Sequence, residues 1–168
     1  VAEAMRASGA TISWLGTRQG IEARVVPAAG YELDPVSITG LRGKGLAGWL
    51  AAPARIARAL WQSVGVLRAR RPGAVLAMGG FVSGPGGVAA RLLGTPLVIH
   101  EQNAIAGLTN RLLSRIASQV LCGFPKSFDA HPGARHVGNP VRAQIRQVEP
   151  PRARLSGHAG KLRVLIVG

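Results

Sequence analysis

Ala74-Val75-Leu76-Ala77-Met78-Gly79-Gly80-Phe81-Val82-Ser83-Gly84-Pro85-Gly86-Gly87 decides the fold. The run from Ala74 to Met78 is short and apolar, as a buried strand requires. Five of the ten residues from Met78 to Gly87 are glycine, and an apolar helical run over 86–93 follows. A strand that breaks into a glycine-rich loop and re-forms as a helix makes a seat for an anion. Glycine lets the backbone approach closely, and the first helical turn aims N–H groups and a positive dipole end at the guest. A phosphate or diphosphate suits that seat. The same pattern also serves as a tight packing turn with no ligand.

Outward from this point, short apolar strands alternate with helical stretches. Strands are expected over 11–15, 31–38, 74–78, 96–100 and 119–122, and helices over 20–29, 46–70, 86–93, 106–117 and 141–147. Pro53 marks a bend or start in the longest helix. This alternation predicts an α/β, Rossmann-like parallel sheet with helices on both faces. In such sheets ligands collect beyond the carboxyl ends of the strands. The polar motifs fall at those ends: Gly16-Thr17-Arg18, the glycine loop, and His100-Glu101-Gln102-Asn103.

The His100–Asn103 cluster offers a titratable base, a carboxylate and two amides at one strand end. Glu101 and His100 are candidates for acid–base work, and Asn103 for binding hydroxyls. The cluster also reads as a hydrogen-bonded loop that caps the next helix. No further His, Asp or Glu stands at ligand spacing around it, so no metal and no cofactor are expected. Thr109 and Asn110 lie just downstream. Arg142 follows Gly138-Asn139-Pro140, where a guanidinium can reach a phosphate or sugar.

Residues 41–70 carry Lys44, Leu46, Trp49, Leu50 and Trp61 among Arg42, Arg55 and Arg58. Tryptophan ringed by cations suits an anionic membrane surface. A stripe of Leu46, Leu50, Ile56, Leu60, Val64 and Leu67 suits packing on the sheet. Both readings fit one helix, with the stripe inward and the tryptophans outward.

Composition narrows the partners. The net charge is +14, from 21 Lys and Arg against seven acids. Nucleic acid, anionic lipid and phosphorylated substrates are the three classes that attract such a chain. Aromatic residues make up only 4%, too few for base-stacking platforms, and nucleic acid is not expected as a partner. The lone Cys122 excludes an internal disulfide and reads as a small core residue. Residues 1–6 lack the pattern of a secretory leader. The chain opens inside a helical stretch and closes on the apolar run 162–167, so both ends read as cut from a longer protein. The expected organisation is one domain over 1–148, a Pro/Gly/Arg-rich linker over 149–160, and the first strand of a second domain over 161–168.

Trp14-Leu15-Gly16-Thr17 with Glu22, the run from Ser37 to Gly45, the glycine loop, His100-Glu101-Gln102-Asn103, Gly107-Leu108-Thr109-Asn110 and Val137-Gly138-Asn139-Pro140-Val141-Arg142 occur in this order. In these motifs the chain resembles the family 28 glycosyltransferases of peptidoglycan synthesis. The resemblance implies the N-terminal, acceptor-side half of a two-domain GT-B enzyme, and inactivity for this half alone. It implies inverting transfer of N-acetylglucosamine from UDP-N-acetylglucosamine to the C4 hydroxyl of undecaprenyl-diphosphate-linked N-acetylmuramyl-pentapeptide. The enzyme would be peripheral, at the cytoplasmic face of the inner membrane. By the resemblance, Gly79, Gly80, Ser83, Gly84, Gly86 and Gly87 hold the acceptor diphosphate, while Asn103 and Arg142 contact the donor. His100 and Glu101 lie in the cleft. Lys44, Leu46, Trp49, Leu50 and Trp61 touch the membrane. The family's main candidate base, a His in an earlier glycine loop, falls ahead of the stretch matched here. Two departures stand out: Ala54 and Ala57 occupy patch positions where bulkier residues are expected, and residues 128–136 form a longer segment. Two alternatives remain: a GT-B transferase with another acceptor, and a basic nucleic-acid-binding module.

Overall fold

The computed structural model describes residues 1–38, 51–128, 131–154, 156–157 and 160. Helix α1 (Ala2–Ala7) leads into β1 (Ser13–Gly16), α2 (Glu22–Ala28) and β2 (Glu32–Pro35). Helix α3 (Ala52–Arg70) is followed by β3 (Val75–Ala77), α4 (Ser83–Leu92), β4 (Leu97–Glu101), α5 (Leu108–Leu113) and β5 (Gln119–Cys122). Strand β6 (Ala134–His136) and two single-turn helices, α6 (Ala143–Arg146) and α7 (Pro151–Arg154), complete the described elements.

The expected parallel sheet is present in two pieces. β1 pairs with β2, and β3, β4, β5 and β6 form a four-stranded sheet in that order, every pair parallel. A cavity of about 1410 Å³ separates the pieces, lined by Ser13 and Leu15 on one side and Val75 and Ala77 on the other. Arg70 spans them. Its guanidinium holds Asp34 through two nitrogens, at 2.8–3.2 Å, and pairs with Glu32. The Ser37 backbone N–H donates to the Gln62 side-chain oxygen at 2.7 Å.

The core forms where α4 enters between α3 and the sheet. Ala89 and Ala90 have no exposed surface, and they meet Leu67, Ala77, Leu97, Ile99, Leu113 and Val120. Small residues on α4 set this close approach. Gly87 faces Leu113 and Leu97 so tightly that a Cβ there would lie 2.8 Å from a Leu113 methyl. The central strand β4 is buried on both faces, as its apolar run predicts. Burying side chains such as Leu97 and Ile99 stabilises by roughly 1.5–3 kcal/mol each.

Four details differ from the sequence reading. Helix α4 begins at Ser83, three residues early, because Pro85 falls in the first turn, where no N–H partner is required. Strand β6 was not anticipated; Ala134-Arg135-His136 is short and mostly exposed, with no alternation to betray it. A turn of helix, α7, interrupts the expected linker, with Pro151 at its first position. Ile56 is 47% exposed, so the inward stripe on α3 runs through Ala59, Leu60, Ser63, Val64 and Leu67 instead. The expected strand at 162–167 lies outside the described residues, as do Lys44, Leu46, Trp49 and Leu50.

Candidate functional site

The loops after β1, β3, β4 and β6 carry the polar motifs, and hydrogen bonds tie most of them into one rim. After β1, the Thr17 N–H and hydroxyl both donate to Glu22 Oε1, at 2.8 and 2.7 Å, and the Gly20 N–H donates to the Thr17 oxygen. The bonds from Thr17 hold the Glu22 carboxyl below its ordinary range. This knot shapes the turn into α2.

After β3, Gly79 and Gly80 both take positive φ, +88° and +85°, which glycine alone adopts without strain. The Ser83 hydroxyl donates to the Gly79 carbonyl at 2.5 Å and closes the loop. Ser83 and Gly84 open α4, so their N–H groups belong to the first turn, which has no acceptor within the helix. Gly86 and Gly87, expected at the anion, sit elsewhere. Both are buried, Gly86 against Leu15 and Gly87 against Leu113, and their missing side chains let helices pack. Of the residues expected at an anion, Gly79, Gly80, Ser83 and Gly84 are the ones at the loop and the open first turn.

After β4, every residue of the polar cluster is fixed. His100 Nε2 lies 3.0 Å from the Gly138 carbonyl, and Nδ1 lies 2.9 Å from the Gln102 side-chain nitrogen. An amide NH₂ only donates, so Nδ1 accepts and Nε2–H donates to Gly138. Both nitrogens of this buried ring are thus engaged within the loops. Glu101, 2% exposed, accepts four bonds. Oε1 takes the Asn103 backbone N–H at 2.9 Å and Asn103 Nδ2 at 2.8 Å, while Oε2 takes the Gly107 N–H at 3.0 Å and Asn110 Nδ2 at 2.9 Å. Burial alone would raise the carboxyl pKa, but these four bonds outweigh it and the pKa is lowered. A saturated, low-pKa carboxylate is a poor general base. The polar atoms of His100 and Glu101, expected as acid–base residues, are thus consumed by the loop itself, which the sequence could not show.

The remaining ties complete the rim. Ser127 donates to the Asn103 carbonyl at 2.6 Å. Asn139 Nδ2 donates to the Gln102 carbonyl at 3.0 Å, and the Asn139 side chain occupies the space a Cβ on Gly123 would need. This brings the loop after β6, which carries Arg142, against the loop after β4. On the other flank, Gly79 lies beside the Asn110 amide and Gly84 beside Thr109. Glycine loop, Asn110, Glu101, Asn103, Asn139 and the Arg142 loop thus follow one another. Asn110 and Asn139 act as the joints, a role the spacing did not reveal. Arg142 is exposed at the start of α6. Trp61 is 77% exposed on α3, and Arg58, Gly65 and Arg68 share its outward face at helical spacing. Among the described residues no group of His, Cys, Asp or Glu is placed to hold a metal ion, and no helix is long and apolar enough to cross a membrane.

Comparison with known proteins agrees with this geometry. The glycosyltransferase family 28 N-terminal domain matches residues 1–122. The whole chain is 58% identical to a protein of Alkalilimnicola ehrlichii named UDP-N-acetylglucosamine--N-acetylmuramyl-(pentapeptide) pyrophosphoryl-undecaprenol N-acetylglucosamine transferase, covering 47% of it. A Yersinia pestis protein of the same name is 52% identical over the whole chain, which covers 46% of it. The chain therefore spans about half the length of the curated relatives it matches. The crystal structure of Acinetobacter baumannii MurG superposes with a TM-score of 0.73 at 37% identity, over 95% of this chain and 44% of that one. The chain belongs to glycosyltransferase family 28 and has the Rossmann-like fold of that family's N-terminal domain.

Proposed function

We propose that this chain is the acceptor- and membrane-side half of an inverting transferase. The enzyme moves N-acetylglucosamine from UDP-N-acetylglucosamine to the C4 hydroxyl of undecaprenyl-diphosphate-linked N-acetylmuramyl-pentapeptide. The observation that carries this reading is the rim: the glycine loop, Asn103 and the Arg142 loop adjoin on one edge of the sheet. That edge is where parallel α/β sheets bind ligands.

The chemistry follows from the groups present. The first-turn N–H groups of α4 and the dipole of that ten-residue helix favour the acceptor diphosphate. Asn103 and Arg142 face the donor, where Arg142 offers a fixed positive fork to developing phosphate charge. The acceptor oxygen forms its bond to the anomeric carbon from the side opposite UDP, whose bond breaks, so the configuration inverts. The hydroxyl proton leaves to a base other than His100 or Glu101.

The outward face of α3 supports peripheral attachment at the cytoplasmic face of the inner membrane. Arg58, Trp61 and Arg68 combine an amphipathic ring with two cations. Helix α4, packed on α3, exposes Arg91 and Leu92 as well.

The test is transfer of labelled N-acetylglucosamine by the full-length protein carrying this chain, with the lipid-linked muramyl-pentapeptide in anionic vesicles. Formation of the lipid-linked disaccharide with inverted linkage is expected. Transfer to a water-soluble sugar with no preference for the lipid diphosphate would replace this reading with a GT-B enzyme for another acceptor.

A further inference from the structure

We infer that Glu101 is a positioning residue that fixes the polarity of the donor site: it holds Asn103 by its NH₂ group, so that the Asn103 carboxamide oxygen is the atom offered to the ligand. The inference rests on the reading of Asn103 as a donor-site residue and adds what that residue recognises. A carboxylate only accepts hydrogen bonds, so the group it faces must be a donor. Asn103 Nδ2 lies 2.8 Å from Glu101 Oε1, and the flipped amide would set oxygen against oxygen. Rotation of the whole residue is blocked as well. The Asn103 N–H donates to the same Glu101 oxygen, and its carbonyl takes the Ser127 hydroxyl.

Glu101 is itself immobile. The Gly107 N–H and Asn110 Nδ2 hold its other oxygen, and Asn110 is 2% exposed. Among the described residues nothing donates to the Asn103 side-chain oxygen, and Asn103 is exposed at the rim. The ligand group that meets this oxygen is therefore a hydrogen-bond donor, a sugar hydroxyl or an acetamido N–H, while the second Nδ2–H, which Glu101 does not use, stays open to an acceptor. The loop offers N–H groups to anions, and the Asn103 oxygen offers an acceptor to ligand hydroxyl or N–H groups.

The test compares wild type, E101Q, N103A, E101Q/N103A and N103D in the full-length protein, with UDP-N-acetylglucosamine varied at saturating lipid acceptor between about pH 5.5 and 9. E101Q and N103A are each expected to raise the donor KM roughly tenfold, the value of one oriented hydrogen bond, with kcat within about threefold. The double variant should be no worse than N103A, because both changes remove the same contact. E101Q should keep the wild-type pH profile. A hundredfold fall in kcat with unchanged KM, and loss of the acidic limb, would make Glu101 a base and overturn the inference. Additive effects in the double variant would overturn it too. Should E101Q not fold, N103D decides: a carboxylate facing Glu101 cannot keep the orientation, so a wild-type donor KM in N103D refutes the inference.

A second readout is independent of transfer. In the full-length protein labelled with ¹⁵N-asparagine, the Asn103 side-chain NH₂ resonances should shift in acid as Glu101 protonates. Unshifted resonances overturn the inference even in an active enzyme. An enzyme with no transfer activity but with the shift refutes the proposed function alone.

Discussion

Replacing Glu101 by Gln should destabilise the domain in a way that depends on pH. The native carboxylate accepts two N–H bonds on each oxygen; besides Glu101, Asn110 Nδ2 reaches, among the described residues, only the His100 carbonyl, at 3.4 Å. A glutamine keeps its one acceptor oxygen on the Gly107 and Asn110 donors and turns its NH₂ group toward Asn103, which loses the acceptor that orients it. Two donors then lose their partner. At roughly 1–3 kcal/mol per buried unsatisfied group, and less for the exposed Asn103 amide, the loss is about 2–4 kcal/mol at pH 7. For a domain of this size that lowers Tm by roughly 5–15 °C. The sign with pH follows from the lowered Glu101 pKa. A carboxyl whose pKa is lower folded than unfolded stabilises above the unfolded value, near 4.3, and that contribution is lost as pH falls through the folded value. The Tm gap between wild type and E101Q should be constant from neutral pH to about pH 5 and close below that. Glu22 has a lowered pKa too, but it titrates in both proteins and cancels in the difference. Thermal unfolding followed by circular dichroism from about pH 3 to 7 reads both quantities. A gap under about 2 °C at pH 7, or one that persists unchanged to pH 3, would refute the four-bond account.

Glycine substitutions should separate packing from conformation. Gly87→Ala drives a methyl into Leu113 and should cost about 1–3 kcal/mol, read as a lower midpoint in urea unfolding. Gly65→Ala, on the exposed face of α3 with open space around it, should raise stability by about 0.5–1 kcal/mol in the same assay. Ser83→Ala releases the clamp on Gly79 and should raise the KM for the lipid acceptor several-fold while leaving the donor KM within about twofold; equal effects on both would make the loop purely structural. Trp61→Ser should weaken sedimentation with anionic vesicles without lowering Tm, since the ring is 77% exposed. Retention on vesicles equal to wild type would remove Trp61 from the membrane contact.

The fold was legible because its signals are local. Ala74 to Met78 and Pro96 to His100 are apolar runs of strand length, and each ends in turn-forming or polar residues that mark where a strand must stop. Strand β6 left no such mark, because an exposed three-residue edge strand needs no apolar alternation; it exists by pairing with Val120, Leu121 and Cys122. The rim was legible as a set of strand ends but not in its chemistry. Sequence shows that His100 and Glu101 are titratable. It does not show that Gln102, Gly138, Asn103, Gly107 and Asn110 use up their polar atoms. Likewise, Gly84 and Gly86 look alike in the chain, and only packing separates a loop glycine from one pressed against Leu15.

A crystal structure of the full-length protein with UDP-N-acetylglucosamine and a diphosphate-bearing acceptor analogue tests the central claim most directly. The account predicts the acceptor diphosphate within about 3 Å of the Ser83 and Gly84 N–H groups, and a donor-sugar hydroxyl or acetamido N–H at about 2.7–3.2 Å from Asn103 Oδ1. Both ligands seated away from that rim, with Asn103 still turned toward Glu101 and touching neither, would contradict it.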